Sequence, residues 1–176
     1  SMRNLFTYKM FENEQEPIRK VFTREQLSWI DKCTSGSWIY NSTTGKVDIN
    51  GSFDCSNQGL SDFKGIEFGV VSDQFRCNNN KLTTLTGAPE KVRDFTCIGN
   101  LLKNLVGGPI EAHSYQAAGN ELESMEGSPV KVRGPMSVRD NYLKSLAGSP
   151  EYVIGDFNCS DNKLESMDGA PKQVGG

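Results

Sequence analysis

The chain has 176 residues, a formal net charge of −3, a single histidine and five cysteines. With 36% hydrophobic residues and 18 glycines, it fits many turns around a thin core better than a thick two-layer one. It has no run of like charges, no basic stripe and no apolar stretch near the ~20 residues that span a bilayer, so nucleic-acid and membrane binding find no support.

Ser1 ahead of Met2 reads as a residue left by tag removal and is set aside. Residues 2–21 form an N-terminal segment with an apolar cluster of Leu5, Phe6, Tyr8, Met10 and Phe11. Thr7 and Lys9 interrupt the cluster and Glu12, Glu14 and Glu16 follow, which is not the pattern of a signal peptide. The segment is expected to pack against the neighbouring cap; the alternative is a peptide that binds a partner or targets the chain for packaging.

Residues 22–50 read as a cap. Thr23 stands where a helix N-cap belongs and Gln26 follows three residues later, with Phe22 and Leu27 placed to staple the start. A helix is expected from Thr23 to Cys33, with Leu27 and Ile30 inward, joined by Trp29 or Cys33, and Gly36 as the stop. Trp38-Ile39-Tyr40 and Val47-Asp48-Ile49 then flank Ser42-Thr43-Thr44-Gly45 as a β-hairpin over the first coil. Asn41-Ser42-Thr43 matches a glycosylation triplet but is read as part of that turn. Thr44-Gly45-Lys46 lacks the glycine spacing of a phosphate loop.

From residue 51 to 176 the dominant signal is self-similarity. Pro89, Pro109, Pro129, Pro150 and Pro171 recur at spacings of 20, 20, 21 and 21, each with Gly two residues earlier. Leu60, Leu82, Leu102, Leu122, Leu143 and Leu164 form one column, and Phe63, Leu85, Leu105, Met125, Leu146 and Met167 another. Upstream run an aromatic or Met (Phe53, Phe75, Phe95, Tyr115, Met136, Phe157) and a small apolar residue (Cys55, Cys77, Cys97, Ala117, Val138, Cys159). Asn80, Asn100, Asn120, Asn141 and Asn162 complete the unit, with Gln58 in the first repeat.

Phe95 and Cys97 lie two apart and so share one face of a short strand, which points inward. Stacked repeats then make a parallel sheet, and each Asn side chain is expected to bond the backbone of its turn and of the neighbouring coil. Gly-x-Pro disfavours a helix on the return path, so the convex side is expected to be extended or a single 3₁₀ turn. The columns resemble the leucine-rich-repeat signature L-x-x-L-x-L-x-x-N-x-L, with Phe and Cys replacing two leucines. The resemblance implies a leucine-rich-repeat solenoid with its parallel sheet on the concave side. The Pro-containing convex segment also resembles the repeat domain of IpaH-class bacterial effectors, without room for their ligase domain. The Gly-Ala-Pro and Cys-x-x-Asn-Lys-Leu forms are similar to repeat proteins of large tailed bacteriophages. No closing element follows Val174-Gly175-Gly176, and this open C-terminal edge is expected to allow self-association.

No catalytic, metal or cofactor site is legible. His113 stands alone ahead of a strand, and the repeated cysteines occupy a position that Ala117 and Val138 fill elsewhere. They are therefore expected to be reduced core thiols in a cytoplasmic setting. Alternation puts Asp54, Arg76, Thr96, Gln116, Ser137 and Asn158 on the concave face, with Ser56, Asn78, Ile98, Ala118, Arg139 and Ser160 beside them. Of these, Arg76, Asn78, Thr96, Ile98, Gln116, Ala118, Ser137 and Arg139 are the candidate binding residues, with Ile98 and Ala118 as a small apolar centre between two arginines. Six strands ~4.8 Å apart and about five residues wide give roughly 500 Å², short of the ~800 Å² per partner in a standard interface. A tight partner is therefore expected to reach the cap, a lateral edge or the last coil as well. The expected function is a phage-encoded protein-binding module that inhibits a host bacterial defence or regulatory protein in the host cytoplasm. The alternatives are a virion-associated or assembly protein and a sponge for a small anionic nucleotide.

Overall fold

The structure is a computed structural model, and it describes residues 21–176. The readings made on residues 2–20 lie outside it.

Helix α1 (Arg24–Cys33) starts on a capping box. The Thr23 hydroxyl accepts from the Gln26 N–H at 3.1 Å, and the Gln26 side chain accepts from the Thr23 N–H at 2.9 Å. Trp29, Ile30 and Cys33 are buried and Leu27 is half-buried. The helix therefore presents its aromatic to the first coil, with Trp29 edge-on to Phe53 at 5.2 Å. Thr34 ends the helix by entering extended backbone while its hydroxyl donates to the Ile30 carbonyl at 2.7 Å.

Strands β1 (Thr34–Asn41) and β2 (Lys46–Asp54) form the hairpin, longer than the sequence reading on both arms. Its turn is held by Asn41, whose Oδ1 accepts from the Thr43 and Thr44 N–H groups at 3.0 and 3.3 Å. Gly36 and Gly51 face each other across the pair at φ +114 and +132, and a Cβ on either would collide with the opposite backbone. Strand β2 runs through position 50, so hairpin and first coil share one strand, and one continuous hydrophobic cluster spans both.

Beyond it the chain is a parallel-strand, leucine-rich-repeat-like solenoid of about six coils: β3 (Phe68–Arg76), β4 (Lys91–Thr96), β5 (Glu111–Gln116), β6 (Lys131–Val132), β7 (Met136–Ser137), β8 (Tyr152–Val153), β9 (Phe157–Asn158) and β10 (Gln173–Val174). The repeat spacing decides whether a strand is whole. In β4 and β5 the two anchoring residues, Val92 and Phe95 or Ala112 and Tyr115, lie three apart and pair without interruption. The longer coils insert one residue, so Val132 and Met136, or Val153 and Phe157, lie four apart, and the strand splits into two short pieces. β3 has the same extra residue and absorbs it as a register shift between Val71 and Gln74.

The inward columns are buried as expected, and the aromatics stack along the axis: Phe53 on Phe75 at 5.3 Å, Phe75 on Phe95 at 5.9 Å, Phe95 on Tyr115 at 5.0 Å. Tyr115 is the one tyrosine in that column. Its hydroxyl is buried without a partner beneath Gly108, where a Cβ would lie 2.8 Å from it. In the last coil Phe157, Cys159 and Leu164 are only half-buried, and Met167 is 61% exposed.

The asparagine ladder has a direction. Asn100 Oδ1 accepts from the Leu82 N–H at 3.0 Å, and its Nδ2 donates to the Cys77 and Cys97 carbonyls, each at 3.0 Å. Asn80, Asn120, Asn141 and Asn162 repeat this, each serving the coil before it as well as its own. Gln58 is therefore not a rung. Asn80 already serves the first coil, and Gln58 turns to the cap, accepting from Trp29 Nε1 at 2.8 Å and donating to Cys33 Sγ at 3.4 Å.

Asn100→Leu is expected to lose about 1–3 kcal/mol for each polar group left buried and unpaired. The half-exposed Asn162→Leu should lose less, because water reaches its partners. Urea unfolding of the two variants measures the difference. Tyr115→Phe is expected to be neutral or stabilising by up to about 1 kcal/mol, since it deletes an orphan hydroxyl. Gly108→Ala should be better tolerated in that background than alone, a coupling that a double-mutant cycle reads directly.

Candidate binding surface

The strand register brings the expected outward residues into line. Asp54 pairs with Arg76, Arg76 with Thr96, Thr96 with Gln116, Gln116 with Ser137 and Ser137 with Asn158. The second column follows through backbone bonds from Asn79 to Ile98, Gly99 to Ala118 and Gly119 to Arg139. The eight candidate residues therefore share one surface, on the side of the sheet turned away from the core.

That surface is less exposed at its middle than at its two arginines. Thr96, Ile98, Gln116, Ala118 and Ser137 are half-buried, while Arg76 and Arg139 stand exposed. Gly99 and Gly119, both at positive φ, form the turn beside Ile98 and Ala118 and keep the floor free of side chains. Asn78 is partly committed to structure, because its Oδ1 accepts from the Thr96 hydroxyl at 2.7 Å and from the Ile98 N–H at 2.8 Å. Arg76 is steadied by the Gln74 Oε1, to which its Nε donates at 2.8 Å, and Arg139 has only an exposed ion pair with Asp161 at 3.7 Å. An exposed pair of that kind contributes little and is open to exchange for a partner's carboxylate. The two arginines lie three coils apart and in different columns, so they flank the middle diagonally.

The sequence reading left out a third outward column, Ser52, Gln74, Asp94, Ser114, Pro135 and Asp156, one residue before the inward aromatic. Strict alternation from Phe75 or Phe95 would have placed it beside the first. It supplies the Gln74 that orients Arg76. It also supplies Asp94, joined to Arg93 at 3.1 Å, which in turn reaches Asp73 at 2.7 Å.

His113 is exposed and packs beside Gly134. Among the described residues no group of three or more His, Cys, Asp or Glu side chains could hold a metal ion. All five cysteines are free thiols, and all but the half-buried Cys159 lie in the core. Burial pushes the thiols of Cys55 and Cys77 well up and that of Cys97 up to about 12, from an ordinary 9.0. A groove of about 310 Å³ runs along the starts of the strands between Lys46, Glu67, Phe68, Ala88, Glu90 and Ile110. Lys46 and Glu90 close it with an ion pair. No described helix is long and apolar enough to cross a membrane. No family model, no curated protein and no solved structure matches the chain.

The raised thiols fix the sign of a pH effect. Above pH ~9 they ionise in the unfolded chain but stay protonated in the folded one, so the folded state binds more protons and loses stability as pH rises. Between about pH 8 and about pH 10 each buried thiol should cost about 1.4 kcal/mol. Unfolding midpoints at the two pH values check this, and Cys77→Ala/Cys97→Ala should flatten the dependence. In the native protein, Cys159 should be the first cysteine to react with a thiol reagent.

Proposed function

We propose that this chain is a protein-binding module whose partner sits on the outer face of the sheet, over Ile98 and Ala118 and between Arg76 and Arg139. The observation that carries the reading is the relief of that face. Its centre holds the half-buried Thr96, Ile98, Gln116, Ala118 and Ser137 beside two turn glycines, and the exposed arginines flank it. A protein contact wants a desolvated apolar middle with polar groups at its rim. The area is small, so a stable complex also draws on a neighbouring surface. The half-buried Phe157 and Leu164 with the exposed Met167 at the last coil offer one. The same open coil is the site proposed from sequence for contact between copies.

We take the module to be phage-encoded and to act in the host cell by occluding a defence or regulatory protein. What supports this is the repeat resemblance together with a face that has binding relief and no reactive constellation among the described residues. The test is an affinity capture from host lysate, run with the wild type and an Ile98→Asp/Arg139→Glu variant whose fold is verified by its unfolding midpoint. A stoichiometric partner held by the wild type should bind the variant at least about tenfold more weakly, or 1.4 kcal/mol. Equal binding by both would move the contact off this face. No partner, with peptides of the chain abundant in purified particles, would replace the reading with a virion-associated role. A nucleotide-induced thermal shift lost on Arg76→Ala would replace it with an anion sponge.

A further inference from the structure

Strand β1 is an edge. It pairs with β2 on one side, and among the described residues nothing pairs with its other side. Protein edges of this length are normally blunted by charge, proline or a covering element. β1 has none of the first two: Thr34-Ser35-Gly36-Ser37-Trp38-Ile39-Tyr40-Asn41 contains no charged residue and no proline. Ser35, Gly36 and Ser37 are exposed, and Ile39 is 55% exposed. The other end of the sheet differs, because β10 has only two residues and Lys172 directly precedes it.

The groups on the free edge can be assigned. The Val47 N–H donates to the Glu67 carbonyl at 2.8 Å, so Val47 turns its backbone toward the second coil and not toward β1. By alternation Lys46, Asp48 and Asn50 turn theirs toward β1. Their register partners Asn41, Ile39 and Ser37 therefore spend their backbone groups on β2. The outward N–H and C=O groups belong to Trp38 and Tyr40. Gly36, at φ +114, bends the strand before them, so the pairing stretch is Ser37–Asn41.

We propose that this edge binds the same strand of a second copy, antiparallel, about a two-fold axis through Ile39. Self-pairing fits the strand for three reasons. Having no charge, it meets itself without repulsion. The two-fold at Ile39 sets Trp38 of each copy opposite Tyr40 of the other, so all the outward backbone groups pair with one another. It also creates two cross-strand aromatic pairs, a favoured combination. Ile39 meets Ile39 as a non-hydrogen-bonded pair, where Cα atoms approach to ~4.5 Å. An axis perpendicular to the sheet leaves both outer faces on the same side, so a dimer presents two binding surfaces to one partner. This proposal does not depend on what those surfaces bind.

The experiment is sedimentation velocity of the full chain together with two variants at the exposed Ile39. The wild type is expected at twice the 19.4 kDa chain mass as concentration rises. Ile39→Lys places two ammonium groups at the axis and should return it to the monomer with its unfolding midpoint intact. Ile39→Cys, whose Cα separation suits a disulfide, should form a covalent dimer under mild oxidation that the wild type does not form. Amide exchange should show Trp38 and Tyr40 slowed in the wild type and fast in Ile39→Lys. A wild type that stays monomeric at its highest concentrations overturns the proposal. So does a dimer that Ile39→Lys leaves intact and Ile39→Cys fails to cross-link, because its interface lies elsewhere. Pairing of β1 with an extended peptide in trans, but never with itself, would replace the second copy by that peptide.

Discussion

Every coil of this solenoid depends on how a buried turn satisfies its backbone. After each short strand the chain must reverse inside the stack, where water does not reach the freed N–H and C=O groups. From the second coil on, one asparagine per coil meets that demand with a single amide, accepting from the preceding coil and donating to carbonyls of that coil and of its own. A polar group buried without such a partner would cost about 1–3 kcal/mol. The ladder is thus both the reason the turns can be buried and the device that sets the register between coils. Its direction matters too. Because each rung serves the coil before it, the first coil needs no rung of its own, and Gln58 is free to bind the cap through Trp29 and Cys33.

Much of this was legible because period and chemistry coincide. The Leu, Phe or Tyr, small-residue and Asn columns fall at positions where only a coil of this pitch could bury them, and the capping box at Thr23 is a local signal that needs no tertiary context. What escaped depended on single insertions and on choices between equal partners. Nothing in the composition says that one extra residue splits the strands at Gly134-Pro135 and at Gly155. That follows only once Val132 and Met136 must both point inward from four residues apart. Gln58 looked like a rung because it occupies the rung's column, and only its neighbours show that the rung above already does the work. The full length of the hairpin arms is not legible, because the Gly36–Gly51 crossing, which lets them extend, is a pairing between residues with no side-chain signal. On the outer face of the sheet, two outward columns follow from alternation, and the third, with Gln74 and Asp94, is equally accessible by the same rule.

The outer columns are less restricted by the fold than the inward ones. Inward positions are narrowly restricted by packing, and several exposed columns are matched by charge from coil to coil, as in Lys103 with Glu123 and Lys91 with Glu111. The outer face of the sheet follows neither rule. Along it the chain places Asp, Arg, Thr, Gln, Ser and Asn in one line and Ser, Asn, Ile, Ala, Arg and Ser in the next. Asn78 links its coil to the next through Thr96 and Ile98, but no such bond selects Ile98 or Ala118, and an Ile among hydroxyls and amides gains nothing from a solvated surface. A rigid, laddered backbone holds these side chains in fixed relative positions, so little ordering entropy remains to be lost on contact. The division of labour is then physical. Inward columns and the ladder set the geometry once per coil, and the outward columns vary on that geometry.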